Sequence, residues 1–221
     1  MKKILYVVAP FLVIGLIIVS LFLYNKNNYI NIEDSLVYVV ASSNDMTSFG
    51  SGFVYKINKN KNKAYIITSY HVVEDYNNIY VYNKNNVKVK GKILNYDINN
   101  DVVLIEISND LSLKSLKLGN SDNIKVKDNI YVVGSPIENE YFATVTSGII
   151  SYNNRKIKVE TSNGSVLVNT IQIDAKINYG NSGSPLLNEK NEVIGMVFVK
   201  EEELDGIGFA IPINKIKEVI K

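Results

Sequence analysis

From residue 35 onward, short β-branched or aromatic segments alternate with clusters of Gly, Asn, Asp and Ser, and this punctuation leaves little room for helices. Candidate strands cover residues 35–41, 53–57, 64–68, 79–82, 87–94, 102–107, 130–133, 145–152, 156–160, 166–173, 193–199 and 208–212. The Asn- and Lys-rich stretch 58–63 reads as a hairpin loop, and Asn163-Gly164 is a strong two-residue turn signal. Asn163 also begins an Asn-x-Ser sequon, read here first as turn chemistry. Only the end looks helical, with Asn214 as N-cap and Ile216, Val219 and Ile220 on one face. Regular strands with almost no helix indicate an all-β barrel or sandwich.

The first thirty residues differ. Lys2 and Lys3 precede an apolar run, residues 4–24, interrupted only by Pro10, Gly15 and Ser20. As a helix it would span about 31 Å at roughly 1.5 Å per residue, enough for a bilayer core. A cleaved signal peptide is the competing reading. The run exceeds the usual apolar region, however, and Ile18-Val19-Ser20-Leu21-Phe22-Leu23-Tyr24 offers no small-x-small cleavage site. The expected organisation is a cytoplasmic N-terminus (1–3), a transmembrane anchor (4–24), a polar tether (25–34) and one domain (35–221). The leading lysines would place that domain outside the cytoplasm, at the cell membrane.

Composition narrows the chemistry. With 24 basic against 22 acidic residues and no long runs of either, nothing points to nucleic acid. Cysteine is absent and histidine occurs once, which removes disulfides, thiol catalysis and an ordinary zinc site, so no cofactor or metal is expected.

One stretch combines turn-formers with a hydroxyl between apolar segments: Asn178-Tyr179-Gly180-Asn181-Ser182-Gly183-Ser184-Pro185-Leu186-Leu187. A serine in such a turn can be a nucleophile with backbone N–H groups beside it, provided that a base and its orienter exist elsewhere. The only base available is His71, where an apolar strand gives way to a turn in Thr68-Ser69-Tyr70-His71-Val72-Val73. For the orienting carboxylate, Asp101 caps the apolar segment Val102-Val103-Leu104-Ile105-Glu106-Ile107. Asp97 is the rival, in a more solvated setting beside Asn95, Tyr96 and Asn99. The order His71, Asp101, Ser182 differs from the serine-first order of α/β-hydrolases and matches the chymotrypsin order.

These segments resemble the HtrA/Deg family of trypsin-like serine proteases. The serine stretch, extended back to Ile171-Gln172-Ile173-Asp174-Ala175-Lys176-Ile177, is similar to that family's nucleophile segment. Val133-Gly134-Ser135-Pro136, Val145-Thr146-Ser147-Gly148-Ile149-Ile150-Ser151 and Gly206-Ile207-Gly208-Phe209-Ala210-Ile211-Pro212 each resemble further family motifs. The resemblance implies two six-stranded antiparallel β-barrels of the chymotrypsin fold and a short C-terminal helix. It implies a His71–Asp101–Ser182 triad cleaving polypeptides through an acyl-enzyme, in extracytoplasmic protein quality control. It also implies an oxyanion hole from the backbone N–H groups of Gly180 and Ser182. Val197, Phe198 and Val199 would pair with substrate, and Ile177, Phe209, Ala210 and Ile211 would wall a pocket for a small or medium apolar side chain. The alternative is a catalytically silent scaffold of the same fold.

Three departures stand out. Tyr179 replaces the family's proline, which predicts a less rigid oxyanion loop. Ser184 replaces a glycine, giving the Gly-Asn-Ser-Gly-Ser-Pro form of glutamyl endopeptidases. Those enzymes need a second histidine, which this chain lacks. No segment resembling a PDZ domain follows the protease motifs. Glu201-Glu202-Glu203-Leu204-Asp205 reads as a solvated loop beside the expected pocket.

Overall fold

The computed structural model describes residues 31–44, 46–136, 139–162, 164–198 and 206–221. Within the unit Ile32–Lys221, strands β1 (Leu36–Ser43), β2 (Met46–Asn58), β3 (Lys63–Ser69), β4 (Asn78–Tyr82), β5 (Lys88–Lys90), β6 (Lys92–Asp97) and β7 (Val102–Ser108) form one sheet. Its order is β5-β4-β1-β2-β3-β7-β6. β5 and β6 are one expected strand broken at Gly91, whose N–H donates to Ile79 O at 2.9 Å. A Cβ on Gly91 would lie 2.8 Å from Ile105 Cγ2, so the bend needs glycine. Since β5 pairs with β4 and β6 with β7, the bent pair closes the sheet into a barrel of six.

The second sheet comprises β8 (Lys117–Leu118), β9 (Asn129–Gly134), β10 (Thr144–Thr161), β11 (Gly164–Ile173), β12 (Pro185–Leu187), β13 (Glu192–Phe198) and β14 (Gly208–Pro212). Its order is β12-β9-β10-β11-β14-β13-β8, and an additional β12–β13 pairing closes six of these strands into a ring. β8 adds to that ring in parallel with β13, which departs from the purely antiparallel expectation. The expected strands at 145–152 and 156–160 are one long β10, irregular where Ile150, Tyr152 and Arg155 meet β11. β8 and β12 are too short to show a period in the sequence. Among the described residues no helix is long and apolar enough to cross a membrane; the expected anchor at 4–24 lies outside them.

Three apolar clusters account for the patterning. Val37, Val39, Val54, Ile66, Val103 and Ile105 fill the first barrel, and Ile130, Ile150, Ile171, Ile173, Leu186 and Val197 fill the second. The third is the seam between them: Leu36, Phe53, Ile67 and Val102 from the first barrel meet Val133, Met196, Phe198 and Ile211 from the second. Strands on the seam are buried on both faces, and so read as continuous apolar runs rather than alternating ones. Helix α1 (Ile213–Val219) seals the seam with Ile213, Ile216 and Val219. Its N-cap is Pro212 rather than Asn214. Asn214 sits in the first turn, where its N–H donates to Ser121 Oγ (3.2 Å) and its amide to Asn120 Oδ1 (2.6 Å). A distant segment thus supplies the acceptor that a local cap would have provided.

The loop asparagines have a structural use. Of ten non-glycine residues with positive φ among the described residues, Asn44, Asn62, Asn86, Asn154 and Asn191 make up half. Asparagine tolerates that conformation better than other side chains, so it closes turns here that would otherwise favour glycine.

Candidate active site

His71 and Asp101 meet because two strands end in register. β3 pairs with β7 up to Ser69↔Val102, so the next residues outward, Tyr70 and Asp101, also face each other. Tyr70 N–H donates to Asp101 O at 3.1 Å, extending the ladder by one bond. The chain then turns through a short 3₁₀ segment, Tyr70–Val72, closed by Val73 N–H donating to Tyr70 O at 2.9 Å. Asp101 takes φ of 52°, which aims its carboxylate back at that turn. One oxygen, Oδ1, accepts from His71 N–H (2.8 Å) and the other, Oδ2, lies 2.7 Å from His71 Nδ1. The carboxylate thereby fixes both the backbone and the ring of one residue. Asp101 is buried, whereas the imidazole is 43% exposed. With the proton on Nδ1 facing the carboxylate, Nε2 is the basic nitrogen. Asp97 is engaged within its own turn, accepting from Asn99 N–H (2.9 Å), Asn100 N–H (3.1 Å) and the Asn100 amide (2.6 Å).

Ser182 comes from the second barrel, on the loop between β11 and β12. Two turns shape that loop. Asn181 N–H donates to Asn178 O at 3.0 Å, and Ser184 N–H to Asn181 O at 2.9 Å. Gly180 occupies the third position of the first turn with φ of 90°, the requirement of a type II turn. Gly183, with φ of 88°, presses against Ser51 O and Thr68 Oγ1 so closely that a Cβ would collide with both. The loop is then tied to β13 by Gly183 N–H to Val197 O (3.0 Å) and Val197 N–H to Ser184 O (2.8 Å). Among the described residues, neither the Gly180 nor the Ser182 N–H donates a hydrogen bond, although both residues are buried. Two such N–H groups can donate to an oxygen that develops negative charge.

The two halves meet across the seam at Gly50. A Cβ there would lie 2.7 Å from Val72 Cγ2, next in the chain to His71, and 2.9 Å from Ser182 O. Ser51 N–H donates to that same Ser182 carbonyl at 2.8 Å.

The two substituted positions in the serine loop are accommodated differently. Tyr179 packs edge-on against Phe49, with ring centroids 5.1 Å apart and planes at 89°, while remaining 60% exposed. Ser184 is fully buried, and its hydroxyl lies where a Cβ on Gly134 would stand. Glycine at 134 therefore makes room for serine at 184.

The expected substrate-contacting residues divide. Val197 and Ala210 pair across β13 and β14 and face the interior of the second barrel, fully buried. Phe198, Phe209 and Ile211 lie on the seam side. Half-buried Ile177 packs over Gly208. Val199 and the acidic stretch 201–205 lie outside the described residues. Sequence reasoning passed over Ser51, which looked like a spacer between Gly50 and Gly52. Its hydroxyl donates to Gly180 O (2.8 Å) and accepts from Ser135 N–H (2.9 Å), while its carbonyl accepts from Thr68 Oγ1 (2.6 Å). Nothing in the local sequence marks it, since each of these partners is remote in the chain.

Comparison with known proteins agrees with this fold. Residues 50–196 match the trypsin-like peptidase domain family. The chain is 38% identical over 181 residues to the serine protease Do-like HtrA of Bacillus subtilis, covering 80% of this chain and 40% of that protein. It is 36% identical over 178 residues to an HtrA-like serine protease of Staphylococcus aureus, covering 78% of this chain and 23% of that one. The chain thus spans two fifths or less of these relatives' length. Among solved structures, the serine endoprotease of Yersinia pestis superposes with a TM-score of 0.69 at 29% identity, over 86% of this chain and 62% of that one. An M. tuberculosis protease in its active form superposes with a TM-score of 0.74 at 22% identity, over 86% and 80%, a likeness of fold alone. With two thirds of its residues inside the matched domain, the chain belongs to the trypsin-like peptidase family, and its similarity within that family is to HtrA serine proteases.

Proposed function

We propose that the chain is a serine endopeptidase that hydrolyses polypeptides through His71, Asp101 and Ser182. The observation that carries this reading is the two-oxygen grip of Asp101 on His71, which sets the tautomer and orientation a general base requires. Ser182 Oγ attacks the scissile carbonyl carbon as His71 Nε2 takes its proton. The carbonyl oxygen, now an anion, receives the N–H groups of Gly180 and Ser182. Collapse of this intermediate breaks the C–N bond, and His71 returns the proton to the leaving amine. Water then attacks the acyl-enzyme with His71 again as base, releasing the carboxylic product and restoring the Ser182 hydroxyl. Each oxyanion donor is worth about 2.7–4 kcal/mol of transition-state stabilisation in such sites.

Substrate would lie along the end of β13, with Phe198 and Val199 as its edge; Val197, whose backbone N–H and carbonyl both bond the serine loop, holds that loop instead. Half-buried Ile177 and Phe209 would supply the apolar surroundings of the side chain preceding the cut, with the fully buried Ala210 and Ile211 behind them. The reading extends to residues 4–24 as a membrane anchor holding the protease outside the cytoplasm, where unfolded polypeptides are its substrates in protein quality control. That extension rests on the length of the apolar run and on the lysines ahead of it.

Degradation of an unfolded protein such as reduced casein by the full chain in detergent tests the activity. Cleavage by wild type and none by Ser182→Ala is expected; equal cleavage by both would overturn it. N-terminal sequencing of the mature protein tests the anchor, which a start beyond Asn25 would contradict.

A further inference from the structure

The serine loop has one attachment to the first barrel that no part of the reaction scheme above uses. Ser51 lies near the middle of β2, 1% exposed, with four hydrogen bonds leading in different directions. Its carbonyl accepts from Thr68 Oγ1 on β3, the strand that leads to His71. Its N–H holds the Ser182 carbonyl and its hydroxyl holds the Gly180 carbonyl, while Ser135 N–H, from the turn after β9, donates to that hydroxyl. The hydroxyl is therefore used once as donor and once as acceptor, which fixes its direction.

The two oxyanion donors are the N–H groups of Gly180 and Ser182. Between them runs the peptide joining Gly180 to Asn181, and just beyond them the peptide joining Ser182 to Gly183. Ser51 fastens the carbonyl of each. Gly180 has glycine's wide conformational freedom, and the peptide that follows it is held at its N–H by Asn178 O and at its carbonyl by the Ser51 hydroxyl.

Building on the endopeptidase reading, we propose that the Ser51 hydroxyl is a positioning group for the oxyanion hole, holding the Gly180 carbonyl so that the two donor N–H groups keep their spacing. It touches neither substrate nor reacting atoms, and acts through Gly180. Because the hole matters most once the carbonyl oxygen is charged, the loss should fall on kcat rather than KM.

Ser51→Ala retains both backbone bonds and removes only the hydroxyl. In the full chain, kcat is expected to fall on the order of tenfold with KM nearly unchanged, the size of one ordinary hydrogen bond. Affinity for a peptidyl boronic acid, which forms a tetrahedral adduct, should fall by a similar factor. Ser51→Thr, which restores the hydroxyl, should recover most of both. Thermal unfolding of each variant separates this from general damage, because the Ser135 N–H also loses its acceptor in Ser51→Ala. A lower melting temperature with kcat and boronate affinity unchanged would overturn the proposal, as would equal losses in KM and kcat or no recovery in Ser51→Thr. A wild type that neither cleaves nor binds boronate would remove the endopeptidase reading itself. A wild type that does both, matched by Ser51→Ala, would remove only the role of Ser51.

Discussion

The two halves of the site are held in different ways. The His71–Asp101 half belongs to one barrel, and strand register delivers it: once Ser69 pairs with Val102, the next residues outward face each other and the carboxylate closes on the imidazole. The Ser182 half is a loop whose shape depends on remote contacts, from Ser51 on β2, Val197 on β13 and the space left by Gly134. A pair set by sheet register tolerates change around it, because the ladder bonds are many. A loop set by a few remote contacts depends on each of them.

The largest predicted effect removes the nucleophile. Ser182→Ala is expected to lower kcat by about 10⁶-fold, as in other triads, with the melting temperature little changed. On the register-held side, Asp101→Asn leaves the hydrogen-bond geometry available but reverses which ring nitrogen carries the proton. A fall of about 10⁴-fold in kcat follows, read by peptide hydrolysis. Asp97→Asn, whose carboxylate serves its own turn, should change kcat less than about threefold, the ordinary range for substitutions away from the site.

On the loop side, Gly134→Ala brings a Cβ against Ser184 Oγ, 2.7 Å from Asn181 Oδ1 and 3.0 Å from Ser51 Oγ. Overpacking of this kind costs about 1–3 kcal/mol, measured by urea unfolding. Adding Ser184→Gly should return part of that loss, and strict additivity of the two changes would contradict the contact. Phe49→Ala removes the edge-on partner of Tyr179 and should cost about 0.5–1.5 kcal/mol beyond the area lost.

The smallest effect concerns charge far from the site. The hydrogen bond from Lys114, then that from Lys84, hold the Asp34 carboxyl below its ordinary range. A carboxylate with a depressed folded value contributes stability that is complete above its unfolded pKa and is lost as pH falls through the folded one. Melting temperatures of wild type and Asp34→Asn should therefore differ at pH 6 and converge toward pH 3, with the gap narrowed by salt.

How far the sequence could be read follows the same division. His71 and Asp101 were legible because each abuts an apolar strand, and strands announce themselves by composition. The seam strands were legible as continuous apolar runs, although nothing local shows that their second face meets another barrel. Gly91 breaks one expected strand because its backbone must bend where Ile105 and Ile79 leave no room for a side chain. That reason lies entirely in tertiary packing. The surroundings of Tyr179 and Ser184 are equally remote in the chain. Phe49 supplies the ring that Tyr179 meets, and the missing side chain of Gly134 leaves the space that Ser184 fills, each more than forty positions away in the chain. Ser51 was illegible for the same reason, since all of its bonds are long-range.

The central claim is that Ser182 is a nucleophile activated by His71 across the seam between the barrels. Intact-mass measurement of the full chain after treatment with a fluorophosphonate tests it most directly. A single phosphonyl adduct, mapped to Ser182 and absent in both Ser182→Ala and His71→Ala, is the predicted result. No adduct on the folded wild type, or an adduct that persists in either variant, would contradict it.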